Sequence, residues 1–132
     1  MNKVVARYRD GRLAKGITED FSALKEAFHL IPHPGGPGER SVEIRLADLK
    51  ALFFVWDLFG DAHRRKRNSF EPGKPVPGRK IQVTFEDGEV MVGTTQGYQP
   101  GRPGFFVTPA DTDSNIERCY VVTASTRQVT LL

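Results

Sequence analysis

The 132-residue chain carries 19 Lys or Arg against 16 Asp or Glu, a formal net charge of +3, and 39% of its residues are hydrophobic. That length suffices to bury a real core, since about two thirds of the unfolded-chain surface is lost on folding, against about 60% for a piece half as long. No run is long and apolar enough to cross a bilayer. Met1–Arg12 lacks the apolar centre of a secretory signal, and the lone Cys119 excludes an intrachain disulfide and fits a reducing, cytoplasmic compartment.

Lys3–Arg9 alternates, with Val4, Ala6 and Tyr8 on one face, which predicts a half-buried strand. Asp10-Gly11 is a hairpin signal, because glycine accepts positive φ without a Cβ clash. Leu13–Thr18 returns antiparallel, with Gly16 either a bulge or a bent point that needs backbone room. In Glu19–Ala27, Phe21 anchors a loop on the sheet and Ala23–Glu26 fits a single helical turn. Ala27–Ile31 is a short strand stopped by Pro32, which cannot donate to a ladder. His33–Glu39, with two prolines and three glycines, is a loop. Its glycine amides offer an anion site only weakly, since the lysine and hydroxyl spacing of a P-loop is missing.

Ser41–Leu46 alternates again, with Val42, Ile44 and Leu46 on one face and Glu43 and Arg45 on the other. Ala47–Lys50 is a break or short helical turn, and Leu52–Trp56 is the most apolar run, read as a central or inter-module strand. Phe53, Phe54 and Trp56 are assigned to core or to the interface between the repeats, with an exposed aromatic partner site as the alternative. Residues 56–79 form a connector that contains His63-Arg64-Arg65-Lys66-Arg67 and ends in a stiff Pro/Gly-rich stretch. Its cations either keep a crossover solvated or form an anion-binding arm of Arg64, Arg65, Lys66 and Arg67.

From Lys80 the chain repeats itself. Shifting by 77 positions superposes Lys3–Val55 on Lys80–Leu132 without a gap, and eight of the 53 pairs are identical: Lys3/Lys80, Asp10/Asp87, Gly11/Gly88, Gly16/Gly93, Thr18/Thr95, Phe28/Phe105, Pro32/Pro109 and Ala47/Ala124. They fall on turn glycines and periodic apolar positions, where a shared fold constrains both copies. Tyr98 takes the place of Phe21, and Arg102 sits at the tip of a loop rich in Gly and Pro. Arg102 is therefore a candidate anion or partner contact, and Phe21 and Tyr98 are candidate aromatic contacts. Pro109–Asn115 reads as a local turn, not a calcium loop. Arg118–Thr123 and Gln128–Leu132 supply the last strands, the final one completing a barrel or sealing the module interface. Cys119, within a strand, reads as a small buried hydrophobe.

The strand, Asp-Gly turn and glycine-bearing return strand (Asp10-Gly11, Gly16 and Phe28–Ile31, then Asp87-Gly88, Gly93 and Phe105–Thr108) resemble small Sm-like barrels. The resemblance implies an all-β fold of two related, strongly bent Sm-like β-barrels or half-open barrels in tandem, with modules at 1–55 and 80–132. It also implies, for some members, RNA binding in rings. The asparagine of an Sm RNA site has no counterpart here, so the fold carries over and the RNA pocket does not. The whole chain also resembles an uncharacterised bacterial family with the same doubled pattern. Compared with cyclic-dinucleotide receptors of the PilZ type, Arg64–Arg67 matches the basic segment, but the later Asp/Asn-Ser-Gly motif does not.

The charge is uneven: residues 1–55 hold nine cations and seven anions (+2), 56–79 six and three (+3), and 80–132 four and six (−2). No nucleophile–base pair, carboxylate pair or metal signature stands out. The expectation is a non-catalytic adaptor without a cofactor or metal, whose inter-module surface or connector binds a protein or other macromolecule. The alternative is a single-stranded RNA-binding protein using basic loops and aromatic stacking. Self-association through uncovered sheet edges is left open.

Overall fold

A computed structural model describes residues 2–33, 35, 40–58, 69–73 and 75–132. The described residues contain ten strands: β1 (Asn2–Tyr8), β2 (Leu13–Thr18), β3 (Ala27–Pro32), β4 (Val42–Arg45), β5 (Leu49–Val55), β6 (Arg79–Phe85), β7 (Val90–Thr95), β8 (Gly104–Pro109), β9 (Ile116–Val122) and β10 (Thr126–Leu131). The fold is all-β. All pairings are antiparallel, and the strands join in one sheet ordered β10-β6-β7-β8-β9-β5-β1-β2-β3-β4, which is not closed into a barrel. A 3-10 turn, Leu46–Asp48, separates β4 from β5, and another, Thr123–Ser125, separates β9 from β10.

The ladders recur at a constant offset. Asn2 pairs with Thr18 and Arg79 with Thr95; Val4 pairs with Phe54 and Ile81 with Leu131; Ala27 pairs with Arg45 and Gly104 with Val122. Each second pair lies 77 residues beyond the first. The irregularities coincide as well: Lys50 is an extra residue opposite the Arg7–Tyr8 step, and Arg127 is its counterpart opposite Thr84–Phe85.

Two glycines permit the tight bend. A Cβ on Gly16 would lie 2.1 Å from the Ile31 carbonyl oxygen, and one on Gly93 would lie 2.2 Å from that of Thr108. Neither is a bulge; each marks a close backbone approach, the second of the two roles the sequence allowed. At the Asp-Gly turns, Gly11 and Gly88 have φ of 95° and 91°, a region that side chains with a Cβ avoid.

The strand that unites the molecule is β5, buried along its whole length. It lies between β1 and β9 and contributes to two cores. Ala51, Phe53 and Val55 enter the one formed with β6, β7 and β8, whereas Leu49, Leu52 and Phe54 enter the one formed with β1, β3 and β4. Its partner β9 divides likewise, Cys119 and Val121 to the first core and Tyr120 and Val122 to the second. Burial of each large side chain here contributes about 1.5–3 kcal/mol relative to exposure. A continuous apolar run is what a strand buried on both faces requires.

Three local expectations change, and the sheet edge qualifies the alternation at Val42. Ala23–Glu26 is a hydrogen-bonded turn in which Lys25 N–H donates to the Ser22 carbonyl, not a helical turn. Val42 is 45% exposed because β4 is the outermost strand, so that only Ile44 and Leu46 of its alternating set reach the core. Trp56 lies just past the end of β5 and is 60% exposed. The last strand, β10, pairs with β6 at the other outer edge and neither seals the central junction nor closes a barrel.

Candidate functional site

Across the β5–β9 junction the first and last five strands meet through opposite charges. Arg7 pairs with Glu89 (3.4 Å), Arg9 with Glu86 (3.0 Å), and Lys50 with Asp87 (2.7 Å) and Glu89 (3.4 Å). The Lys50 side chain is only 5% exposed, and its ammonium also lies 4.6 Å from the Phe85 ring centroid. The Lys50 ammonium and the Glu89 N–H hold the Asp87 carboxyl below its ordinary pKa. Part of the positive excess in residues 1–55 is thus spent on acids of the second half.

Beside this junction lie two adjoining cavities. The larger, about 940 Å³, runs between the 23–26 turn, the two 3-10 turns and the 101–103 loop. Its apolar lining includes Leu24, Leu46, Pro103 and Val122, and its charges are Lys25, Glu26, Arg45, Asp48 and Arg102. Leu24 is 96% exposed. The smaller, about 520 Å³, has Thr94, Thr95, Phe106, Arg102, Arg118 and Tyr120 in its wall and, among the described residues, no carboxylate. Ala23, Arg102 and Tyr120 line both.

Packing fixes the polar groups at this boundary. The Arg118 guanidinium lies 4.4 Å from the Phe54 ring centroid and 4.7 Å from that of Phe106. Phe106 in turn meets Tyr120 edge-on at 5.1 Å. Gly104 leaves space for the tyrosine, since a Cβ there would come within 2.4 Å of its ring. Burial pushes the Tyr120 phenol above its ordinary pKa, so it stays protonated, a donor, at neutral pH. Thr123, on the wall of the larger cavity, has a buried hydroxyl with no hydrogen-bond partner among the described residues.

Of the residues singled out from sequence, Arg102 lies at the shared boundary of the cavities and is exposed. Phe21 is partly buried in the second core, with ring centroids 5.4–6.3 Å from Phe28, Phe54, Phe106 and Tyr120. Tyr98 packs edge-on against Phe105 at 4.8 Å and flanks the other core. Arg64, Arg65, Lys66 and Arg67 lie outside the described residues, as does most of the His33–Glu39 loop. Sequence reasoning missed Arg118 and Tyr120. Their signal was a class change between matched positions: Ser41 becomes Arg118 and Glu43 becomes Tyr120. Pro109–Asn115 is a turn, as expected, with Asp113 N–H donating to the Asp111 carboxylate (3.0 Å). Among the described residues, no cluster of three or more His, Cys, Asp or Glu able to hold a metal occurs, and no helix is long and apolar enough to cross a membrane.

Fold and site together define an all-β protein with an open ten-stranded antiparallel sheet and a cleft beside its central ladder. The chain belongs to the family described as "Family of unknown function (DUF6982)", whose model matches residues 1–132. No curated protein and no solved structure matches it.

Proposed function

We propose that this protein is a non-catalytic adaptor built from two Sm-like β modules, residues 1–55 and 80–132, joined by a connector at 56–79, and that it receives a segment of a partner protein in the larger cleft. The ladder registers that coincide at an offset of 77 residues support the modular reading. The observation that carries the binding role is the composition of the cleft. An apolar lining with Leu24 fully presented is rimmed by Lys25, Arg45 and Arg102 against Glu26 and Asp48, an arrangement typical of a protein contact. The rim carries one more positive than negative charge, which suits a segment with an apolar anchor and an acidic neighbour.

The test uses the full chain with a photo-crosslinking residue in place of Leu24, followed by identification of captured proteins and direct binding of the purified candidate. One reproducible partner, bound directly and lost in Leu24→Asp and Arg45→Glu variants that retain the wild-type urea midpoint, is the expected outcome. Wild-type binding by both variants refutes the cleft. Absence of any specific partner together with reproducible turnover of a small substrate refutes the adaptor.

A further inference from the structure

We infer that the smaller cavity is a second, separate site, which holds a small phosphate ester of mononucleotide size between Arg102, Arg118 and the Tyr120 hydroxyl. This goes beyond the adaptor reading and does not depend on it. Three observations converge. First, this cavity is lined by two arginines and, among the described residues, by no Asp or Glu, whereas the neighbouring groove balances its cations with Glu26 and Asp48. Second, Arg118 is held in place by two aromatic rings yet has no carboxylate partner among the described residues. Its planar fork of donors is therefore preorganised and unsatisfied, the state in which arginine binds a multi-oxygen anion best.

The third observation is Tyr120. It is only 2% exposed and lines both cavities, but its hydroxyl has no hydrogen-bond partner among the described residues and is not sealed from solvent. A hydroxyl that opens on the cavity while its ring is packed is a positioned donor for whatever enters. An oxygen of a bound anion provides its acceptor, while the two arginines supply charge-assisted donors to the anion's other oxygens. Phosphate fits this set better than carboxylate because it offers more acceptor oxygens than a planar, two-oxygen group. The rest of the 520 Å³, within the range of small-molecule sites, is walled by Thr94, Thr95, Thr108 and Phe105, which leaves room for the esterified moiety.

Isothermal titration of the full chain with inorganic phosphate, a nucleoside 5′-monophosphate, the matching nucleoside and a single-stranded oligoribonucleotide tests this. The monophosphate is expected to bind saturably at one site per chain, and the nucleoside not at all. Arg102→Ala and Tyr120→Phe should each weaken the monophosphate about tenfold, the usual worth of one hydrogen bond to a charged group. The second variant keeps the ring, so an unchanged urea midpoint separates lost binding from lost folding. Lack of saturable binding by phosphate or monophosphate overturns the inference, as does wild-type affinity in both variants. Binding by the oligonucleotide alone, tightening with its length and falling steeply with salt, also overturns it and assigns the arginines to a nucleic-acid backbone.

Discussion

The ion pair at Lys50 predicts an asymmetry between mutations on its two sides. The Lys50 ammonium is buried at 5% exposure, while the Asp87 and Glu89 side chains that meet it are 58% and 44% exposed. Lys50→Met keeps an apolar stem of similar volume and leaves two carboxylates free to turn to water. Its cost is then the lost pair and the lost contact with Phe85, together about 1–2 kcal/mol. Asp87→Asn with Glu89→Gln does the reverse, because it strands a buried cation beside neutral amides while retaining the turn geometry. That costs about 3 kcal/mol or more, with at most about 1 kcal/mol of further loss from the exposed Arg7–Glu89 pair. Urea unfolding at neutral pH measures both. The depressed Asp87 carboxyl adds a sign: its contribution is fully present above the ordinary carboxylate pKa and is lost as pH falls through the lower folded value. The double variant should therefore show a flatter acid limb than the wild type. A Lys50→Met cost equal to or above that of the double variant refutes the reasoning.

Gly16→Ala and Gly93→Ala each drive a methyl group into a backbone carbonyl, and each should cost about 3 kcal/mol; Gly97→Ala, with open space around it, should stay within about 0.5 kcal/mol by the same urea assay. Phe21→Ala removes the ring at the centre of four edge-on contacts and should lower stability by about 3 kcal/mol, although Phe21 itself lies in a loop between strands. Asp20, which accepts the backbone N–H and faces the ring nitrogen of His29, has its pKa lowered to about 2. Its stabilisation is present above the unfolded carboxylate pKa and lost as pH falls toward 2, so the gap between wild type and Asp20→Asn should narrow between about pH 5 and pH 2 in thermal melts.

The sequence made some of this legible for physical reasons. Period-two alternation located Val4 and Ala6 on the buried face of β1, and the Asp-Gly pairs marked turns because only glycine takes their φ cheaply. Gly16 and Gly93 marked a special backbone position, but a bulge and a close approach read alike in sequence, and only the structure makes it the latter. The burial of Cys119 followed from its place in an apolar strand. The central ladder was only half legible. An apolar run at β5 said that both faces are covered, but nothing local says that the cover is β9, more than sixty residues away. Exposure of Val42 depends on β4 ending the sheet, and that of Trp56 on where β5 stops, neither of which alternation encodes. The charge imbalance permitted contact with an external anion without deciding for one, and pairing across the junction engages Arg7, Arg9 and Lys50 internally. Arg118 and Tyr120 were hidden because their roles come from strands brought together by that same junction.

The central structural claim is that β5 and β9 pair and that each contributes alternate residues to two cores. Nuclear Overhauser contacts in the full chain, combined with amide exchange, test it most directly. Cross-strand contacts are expected along Ala51–Val121, Leu52–Tyr120 and Phe53–Cys119, with the slowest-exchanging amides in these two strands. Fast exchange along β5, or cross-strand contacts that join either strand to a different neighbour, would contradict it.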